Sequence, residues 1–174
     1  DCHLISQFVS KFIQLEFQTF PGIAKLKNLE LIYDKLISNN YEIIKDIFIN
    51  ADNALRDEEM DSKYSGTTCV LVIQLGEHII CANTGDSRAI LVFDEKNDNN
   101  LEFAKVFPLS FDTKPENPGE KQRILRMGGI VEKIKNQLGQ EMGPYRVWEK
   151  NKEYPGLAMS RSIGDFYGKK IGNR

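Results

Sequence analysis

Histidine, tryptophan and cysteine are scarce in this chain of 174 residues: His3 and His78 are the only two histidines, Trp148 is the one tryptophan, and cysteine occurs three times. Cys2, Cys69 and Cys81 are odd in number and lack Cys-x-x-Cys spacing, so neither a disulfide framework nor a zinc site is expected. Cysteine used in this way fits a reducing compartment, cytoplasmic or nuclear. Long apolar runs are missing as well. Cys69-Val70-Leu71-Val72-Ile73 stands for the longest of them, far below the roughly 20 residues that span a bilayer. No basic-then-apolar signal pattern opens the sequence. Nor does one sign of charge dominate: 23 Lys+Arg face 25 Asp+Glu, which gives no basic field for nucleic acid. The glycine-rich phosphate loop of kinases and GTPases is absent despite 13 glycines, and so are the GxSxG and SxxK patterns of covalent hydrolases.

What is present is material for one core. Hydrophobic residues make up 41% of the chain, with 10 Phe and 6 Tyr, which excludes global disorder. Leu4, Ile5, Phe8, Val9, Phe12 and Ile13 recur with the period of a helix face, and Pro21-Gly22 breaks that period. A second helical region is predicted from about Ile23 to Asp61, interrupted at Ser38-Asn39-Asn40, with Asn39 and Glu42 spaced as a capping box. After Ser65-Gly66 the pattern becomes extended. Strands are predicted at Thr67–Leu75, His78–Thr84 and Ser87–Phe93, joined by two-residue turns at Gly76-Glu77 and Gly85-Asp86. A polar loop at Asp94–Asn100 and a fourth strand at Leu101–Phe107 follow. Asn117-Pro118-Gly119-Glu120 reads as a capped helix start, and Gly128-Gly129 as its exit. Helices followed by a run of antiparallel strands indicate an α+β fold.

Few residues carry chemistry on their own. Cys81 and Arg88 have one residue too many between them for a cysteine-dependent phosphatase loop, and Cys81 falls inside a strand, where nothing depresses a thiol pKa. His78, beside a turn, reads as a surface residue. Asp86 in Thr84-Gly85-Asp86-Ser87-Arg88 has two readings. It is either a solvated hairpin-turn carboxylate or an oxygen ligand held rigidly for a hard divalent cation.

The order of blocks discriminates where single residues do not. Tyr64-Ser65-Gly66-Thr67-Thr68-Cys69-Val70 precedes Ala82-Asn83-Thr84-Gly85-Asp86-Ser87-Arg88, then Leu109-Ser110-Phe111-Asp112-Thr113-Lys114-Pro115, the capped helix, and Pro155-Gly156-Leu157-Ala158-Met159-Ser160-Arg161-Ser162-Ile163-Gly164-Asp165. This series closely resembles the metal-dependent serine/threonine protein phosphatases of type 2C. The resemblance implies a four-layer α-β-β-α sandwich of two antiparallel sheets flanked by helices. It implies a dinuclear Mg²⁺ or Mn²⁺ centre whose water attacks phosphorus without a phosphoenzyme, and a phosphoprotein substrate. By residue match Asp86 belongs to the acidic cluster and is the expected metal residue. Asp165 also matches a family position and is read as structural, buried against Ser160 and Arg161. Residues 115–155 match a flap-like segment bordering the substrate cleft. There Trp148 and Glu149-Lys150-Asn151-Lys152-Glu153 are either specificity determinants or a solvated loop with one half-packed Trp.

Departures from the family pattern set further expectations. No Asp-Gly pair occurs, and the acidic blocks expected near the family's C-terminus have no counterpart. Asp1-Cys2-His3 stands either in place of the family's Asp-Gly-His or, as favoured here, with His3 at a helix start. Residues 1–174 are thus expected to form a single partial phosphatase-like domain, incomplete at both ends and lacking most metal ligands. Unpaired strand edges would then promote self-association. The alternative is a pseudophosphatase-like module that binds partners without catalysis. Nucleic-acid and membrane partners are not expected.

Overall fold

The computed structural model describes residues 2–96 and 102–174. Helix α1 (Cys2–Thr19) buries Ile5, Val9 and Ile13, one residue per turn of the predicted face. Helix α2 (Leu29–Ala54) starts later than its periodicity suggested, because the Asn28 side chain caps it by accepting from the amides of Glu30 and Leu31. The predicted interruption is there. Ser38 is extended, and Asn39, Asn40 and Tyr41 are left-handed. Asn39 and Glu42 do meet, but side chain to side chain at 3.2 Å, so they form no capping box. Beyond the break, Ile43, Ile44, Ile47 and Ala51 resume the apolar face.

Among the described residues the strands pair antiparallel into four small sheets. Strand β1 (Gly66–Thr67) pairs with β9 (Ile163–Gly164), and β2 (Cys69–Leu75) with β3 (His78–Thr84). Strand β4 (Ile90–Lys96) pairs with β5 (Glu102–Pro108), while β6 (Gly129–Lys135), β7 (Glu141–Glu149) and β8 (Pro155–Leu157) form a three-stranded sheet. The register Leu75↔His78 leaves Gly76-Glu77 as a two-residue turn, and φ of +59° at Gly76 is what the first position of a II′ turn requires. Gly85-Asp86 closes no hairpin. Strands β3 and β4 lie in different sheets, and the residues between them form a link rather than a turn. Asp94–Lys96, assigned to a polar loop by composition, extend β4, whose partner β5 runs back alongside; the rest of that predicted loop and Leu101 lie outside the described residues.

Two cores result. Helices α1 and α2 pack on the β2–β3 hairpin through Ile5, Val9, Leu36, Ile47, Leu55 and Ile80. Helix α3 (Pro118–Arg126) packs on β6 and β7 through Ile124, Val131 and Val147, together with Ile171 near the end of the chain. Pro118 occupies the start of α3 and Gly128, at φ +84°, lies just past its end, as predicted. The capping box is not formed. The Asn117 side chain donates to the Asp112 carbonyl instead, and Glu120 turns away from the backbone.

Glu120 turns toward the segment that leads into β9 and the short helix α4 (Phe166–Lys169). Arg161 grips both of its carboxylate oxygens (3.0 and 2.7 Å), Arg123 donates from Nη1 (2.7 Å) and Ser160 from Oγ (2.6 Å). Arg123, itself buried, also donates to the carbonyls of Gly172 and Ser160. Burial pushes the Glu120 carboxyl up, but hydrogen bonds from Arg161, Arg123 and Ser160 outweigh it and hold the group at about 2, below its ordinary 4.5. A folded-state value below the unfolded one makes this contribution complete above about pH 4.5 and progressively lost as pH falls toward about 2. Glu120→Gln leaves two guanidinium groups without their counter-charge, so it should lower stability at pH 7 by about 2–4 kcal/mol. Urea denaturation should show that deficit at pH 7 and its shrinkage as pH falls toward about 2. An equally stable Glu120→Gln protein at pH 7 would contradict the assignment.

Candidate functional site

The Gly85–Arg88 link is held against the loop Ser110–Lys114 by a dense set of bonds. Gly85, at φ +100°, lies so close to Thr68 that a Cβ there would come within 2.4 Å of its Cγ2. The Gly85 amide donates to Thr113 Oγ1 (3.1 Å), and the Gly85 carbonyl accepts from the Thr113 amide (2.9 Å). Asn83 donates to the Phe111 carbonyl (3.0 Å), the Ala89 amide to Ser110 Oγ (2.9 Å), and the hydroxyls of Thr68 and Ser87 meet at 2.7 Å. Asp86 lies within this clamped link. Its carboxylate is not solvated in a turn, however: Lys114 Nζ lies 2.7 Å from Oδ2.

The same ammonium is 3.9 Å from Asp112 Oδ2, and Asp112 receives Arg88 in bidentate fashion at 3.0 Å on both oxygens. The Arg88 hydrogen bond holds the Asp112 carboxyl below its ordinary range against the opposing effect of burial. Asp86, Lys114, Asp112 and Arg88 therefore form one row of alternating charge. The sequence displayed both blocks, Gly85–Arg88 and Asp112–Lys114, but the charge pairing across 24 and 28 residues carried no local signal.

Asp165 is buried, as expected, but not by the partners expected. Ser160 and Arg161 belong to Glu120. Asp165 instead lies near Ser162 and Lys169, with Asp52 as an acidic neighbour; its amide donates to the Ser65 carbonyl at 2.9 Å. Burial first, and Asp52 in addition, raise its carboxyl, with Ser162 and Lys169 opposing. Asp165 is also left-handed at φ 48°, ψ 43°, a conformation that non-glycine residues adopt mainly where surrounding structure imposes it. Asp52 accepts from the Gly164 amide (2.8 Å) and pairs with Lys169 (3.1 Å). A cavity of about 370 Å³ lies beside this group, lined by Asp52, Thr84, Ser162, Lys169 and Asn173 among others.

The remaining candidates have local roles. Burial pushes the Cys69 thiol up to about 11 and raises that of Cys81, the opposite of what a reactive thiolate needs. His78 stacks on Tyr33 (ring centroids 3.9 Å apart) near Glu30. Cys2 and His3 lie inside α1, in agreement with the register that puts His3 at a helix start; Asp1 lies outside the described residues. Trp148 packs against Gly156 and donates to the Glu132 carbonyl (3.0 Å), so it ties β7 to its neighbours. Glu149 pairs with Lys152 and with the Tyr167 hydroxyl, which fastens the β7–β8 connection to α4.

For a divalent metal the donors at Asp86 are of the right kind, hard carboxylate oxygens. They do not make a site by themselves. Among the described residues no group of three or more His, Cys, Asp or Glu side chains converges as metal ligands, and Asp86 already has a cation in Lys114.

Comparison with known proteins gives a consistent family. The model described as protein phosphatase 2C matches residues 18–172. Probable protein phosphatase 2C 73 of Arabidopsis thaliana is 43% identical over 114 residues, which cover 66% of this chain and 28% of that protein. Probable protein phosphatase 2C 75 of Oryza sativa subsp. japonica is 38% identical over 173 residues, 99% of this chain and 37% of that one. The crystal structure of a serine-threonine phosphatase 2C from Toxoplasma gondii shares the fold, with a TM-score of 0.71 at 22% identity over 97% of this chain and 56% of its own. The chain thus spans roughly a third of the length of these curated relatives. With antiparallel sheets under packed helices, the ordered blocks in place and the family model matched from 18 to 172, the chain belongs to the protein phosphatase 2C family.

Proposed function

We propose that these residues serve a metal-dependent phosphatase that removes phosphate from phosphoserine and phosphothreonine in proteins. The observation that carries this reading is the family match over residues 18–172, within which the Gly85–Arg88 block is clamped against Asp112–Lys114. Bound Mg²⁺ or Mn²⁺ would activate a water and neutralise charge on the phosphate. In this reading Asp86 serves that centre from a link held by Gly85 and Thr113. We take residues 1–174 as a single partial domain in which 115–155, comprising α3, β6 and β7, border the substrate cleft. Three free cysteines suit a cytoplasmic or nuclear setting, and no described helix is long and apolar enough to cross a membrane.

A second reading, a phosphatase-like module that binds phosphoproteins without chemistry, is favoured by the ion-paired state of Asp86. Turnover of p-nitrophenyl phosphate by the complete protein separates the two. The phosphatase reading expects Mn²⁺-dependent hydrolysis, with Asp86→Asn raising the Mn²⁺ needed by about tenfold while costing less than about 1 kcal/mol of stability. Phosphoprotein binding with no turnover at any Mn²⁺ concentration would select the second reading. Unchanged metal dependence in Asp86→Asn would remove Asp86 from the metal centre.

Strand edges support self-association of the isolated chain. Both β2–β3 and β4–β5 are two-stranded, and Ile90, Val92, Val106 and Phe107 on the latter are 52–58% exposed. Light scattering on the 174-residue chain should show dimers or larger species. A well-behaved monomer at high concentration would count against this.

A further inference from the structure

Gly85 is the pivot of the Gly85–Arg88 link, and it has no side chain with which to hold itself. Its φ of +100° lies where side chains are rarely accommodated, and a Cβ there would meet Thr68 Cγ2 at 2.4 Å. Glycine therefore fits this position, and glycine is also the residue whose backbone is least restrained by its own structure. The orientation of this buried residue depends on groups supplied from elsewhere. One residue, Thr113, supplies most of them. Its Oγ1 accepts from the Gly85 amide (3.1 Å) and donates to the Gly85 carbonyl (2.9 Å), while the Thr113 amide donates to the same carbonyl (2.9 Å). Asn83 adds a longer bond to that carbonyl at 3.3 Å.

Thr113 can serve as a fixed reference because its own backbone is anchored on the opposite side. Its carbonyl takes both the amide (2.9 Å) and the hydroxyl (3.0 Å) of Ser160, and Ser160 belongs to the Glu120 cluster. Pro115, two residues further on, is fully buried. The ion pair of Arg88 with Asp112, by contrast, lies on the open side of the link, with Arg88 61% exposed, and is the weaker tie for it.

We infer that Thr113 is a positioning residue for the dephosphorylation proposed above: its hydroxyl fixes the Gly85 peptide and, through it, the link that carries Asp86 and Arg88. The inference rests on that reading of the function. Thr113 touches no reacting group in this scheme; it acts through Gly85. The hydroxyl matters here and not the bulk of the side chain. Valine has the same branching but can neither accept from the Gly85 amide nor donate to its carbonyl. The amide would then be a buried donor without its partner, and the link would relax toward other conformations open to glycine. A displacement of about 1 Å in a supporting segment is enough to cost up to roughly 100-fold in turnover.

Two measurements on the complete protein test this: turnover of p-nitrophenyl phosphate with Mn²⁺, and hydrogen exchange of residues 84–88 followed by mass spectrometry. Thr113→Val, assayed well below its melting transition, should lose kcat by about tenfold with KM changed by less than about twofold. Exchange at 84–88 should quicken in this variant while exchange in α1 stays native. Thr113→Ser keeps the hydroxyl and should approach the native protein in both measurements. Native kcat in Thr113→Val would overturn the inference, whether or not exchange quickens. Equal impairment of Thr113→Ser and Thr113→Val would overturn it as well, because packing and not the hydroxyl would then be at work. A native protein that turns nothing over at any Mn²⁺ concentration removes the phosphatase reading and the inference together; an active native protein with an unimpaired Thr113→Val variant removes the inference alone.

Discussion

The carboxylate of Glu120 accepts bonds from two guanidinium groups and a hydroxyl, two of them delivered from residues 40 and 41 positions further along the chain. Burying a charge is costly unless it is matched, and here the match is near complete: Arg161 takes both oxygens, and Arg123 and Ser160 fill the remaining directions. Much of the architecture depends on this contact. Arg123 extends it to the carbonyls of Ser160 and Gly172, and Ile171 completes the small core under α3. The Ser160 amide reaches the Thr113 carbonyl (2.9 Å). The segment carrying Arg161 and Asp165 is therefore tied both to α3 and to the loop that faces Asp86.

A second electrostatic arrangement sits at the other side of Thr113. Gly85 and Thr113 exchange backbone and side-chain bonds, and the row of Asp86, Lys114, Asp112 and Arg88 runs alongside. The two arrangements differ in kind. Around Glu120 every partner is committed, and loss of charge loosens the fold. Around Lys114 the ammonium has two carboxylates within reach.

Local chemistry was legible in the sequence wherever a short segment determines its own conformation. The Gly76-Glu77 turn, the break at Ser38-Asn39-Asn40, and the Pro118 start and Gly128 exit of α3 all formed where predicted. Polar partnerships across long separations were not legible. Glu120 carried a capping signal, yet two arginines outcompeted a backbone amide for its carboxylate. Asp165 is buried, as the sequence suggests, but Ser160 and Arg161 are engaged by Glu120 instead. Gly85-Asp86 looked like a hairpin since Gly-Asp suits one; the unseen alternative was a link between sheets, stabilised by Thr113 from 28 residues away. The order of the blocks, by contrast, revealed the family because it reflects the whole fold and not one contact.

The proposed function turns on whether Asp86 serves a metal centre. A crystal structure of the complete protein grown with Mn²⁺, with anomalous scattering to locate the metal, addresses it most directly. If it does, an anomalous peak will lie at coordination distance, about 2.0–2.3 Å, from an Asp86 oxygen. Anomalous density elsewhere, with Lys114 still 2.7 Å from Asp86 Oδ2, would contradict it.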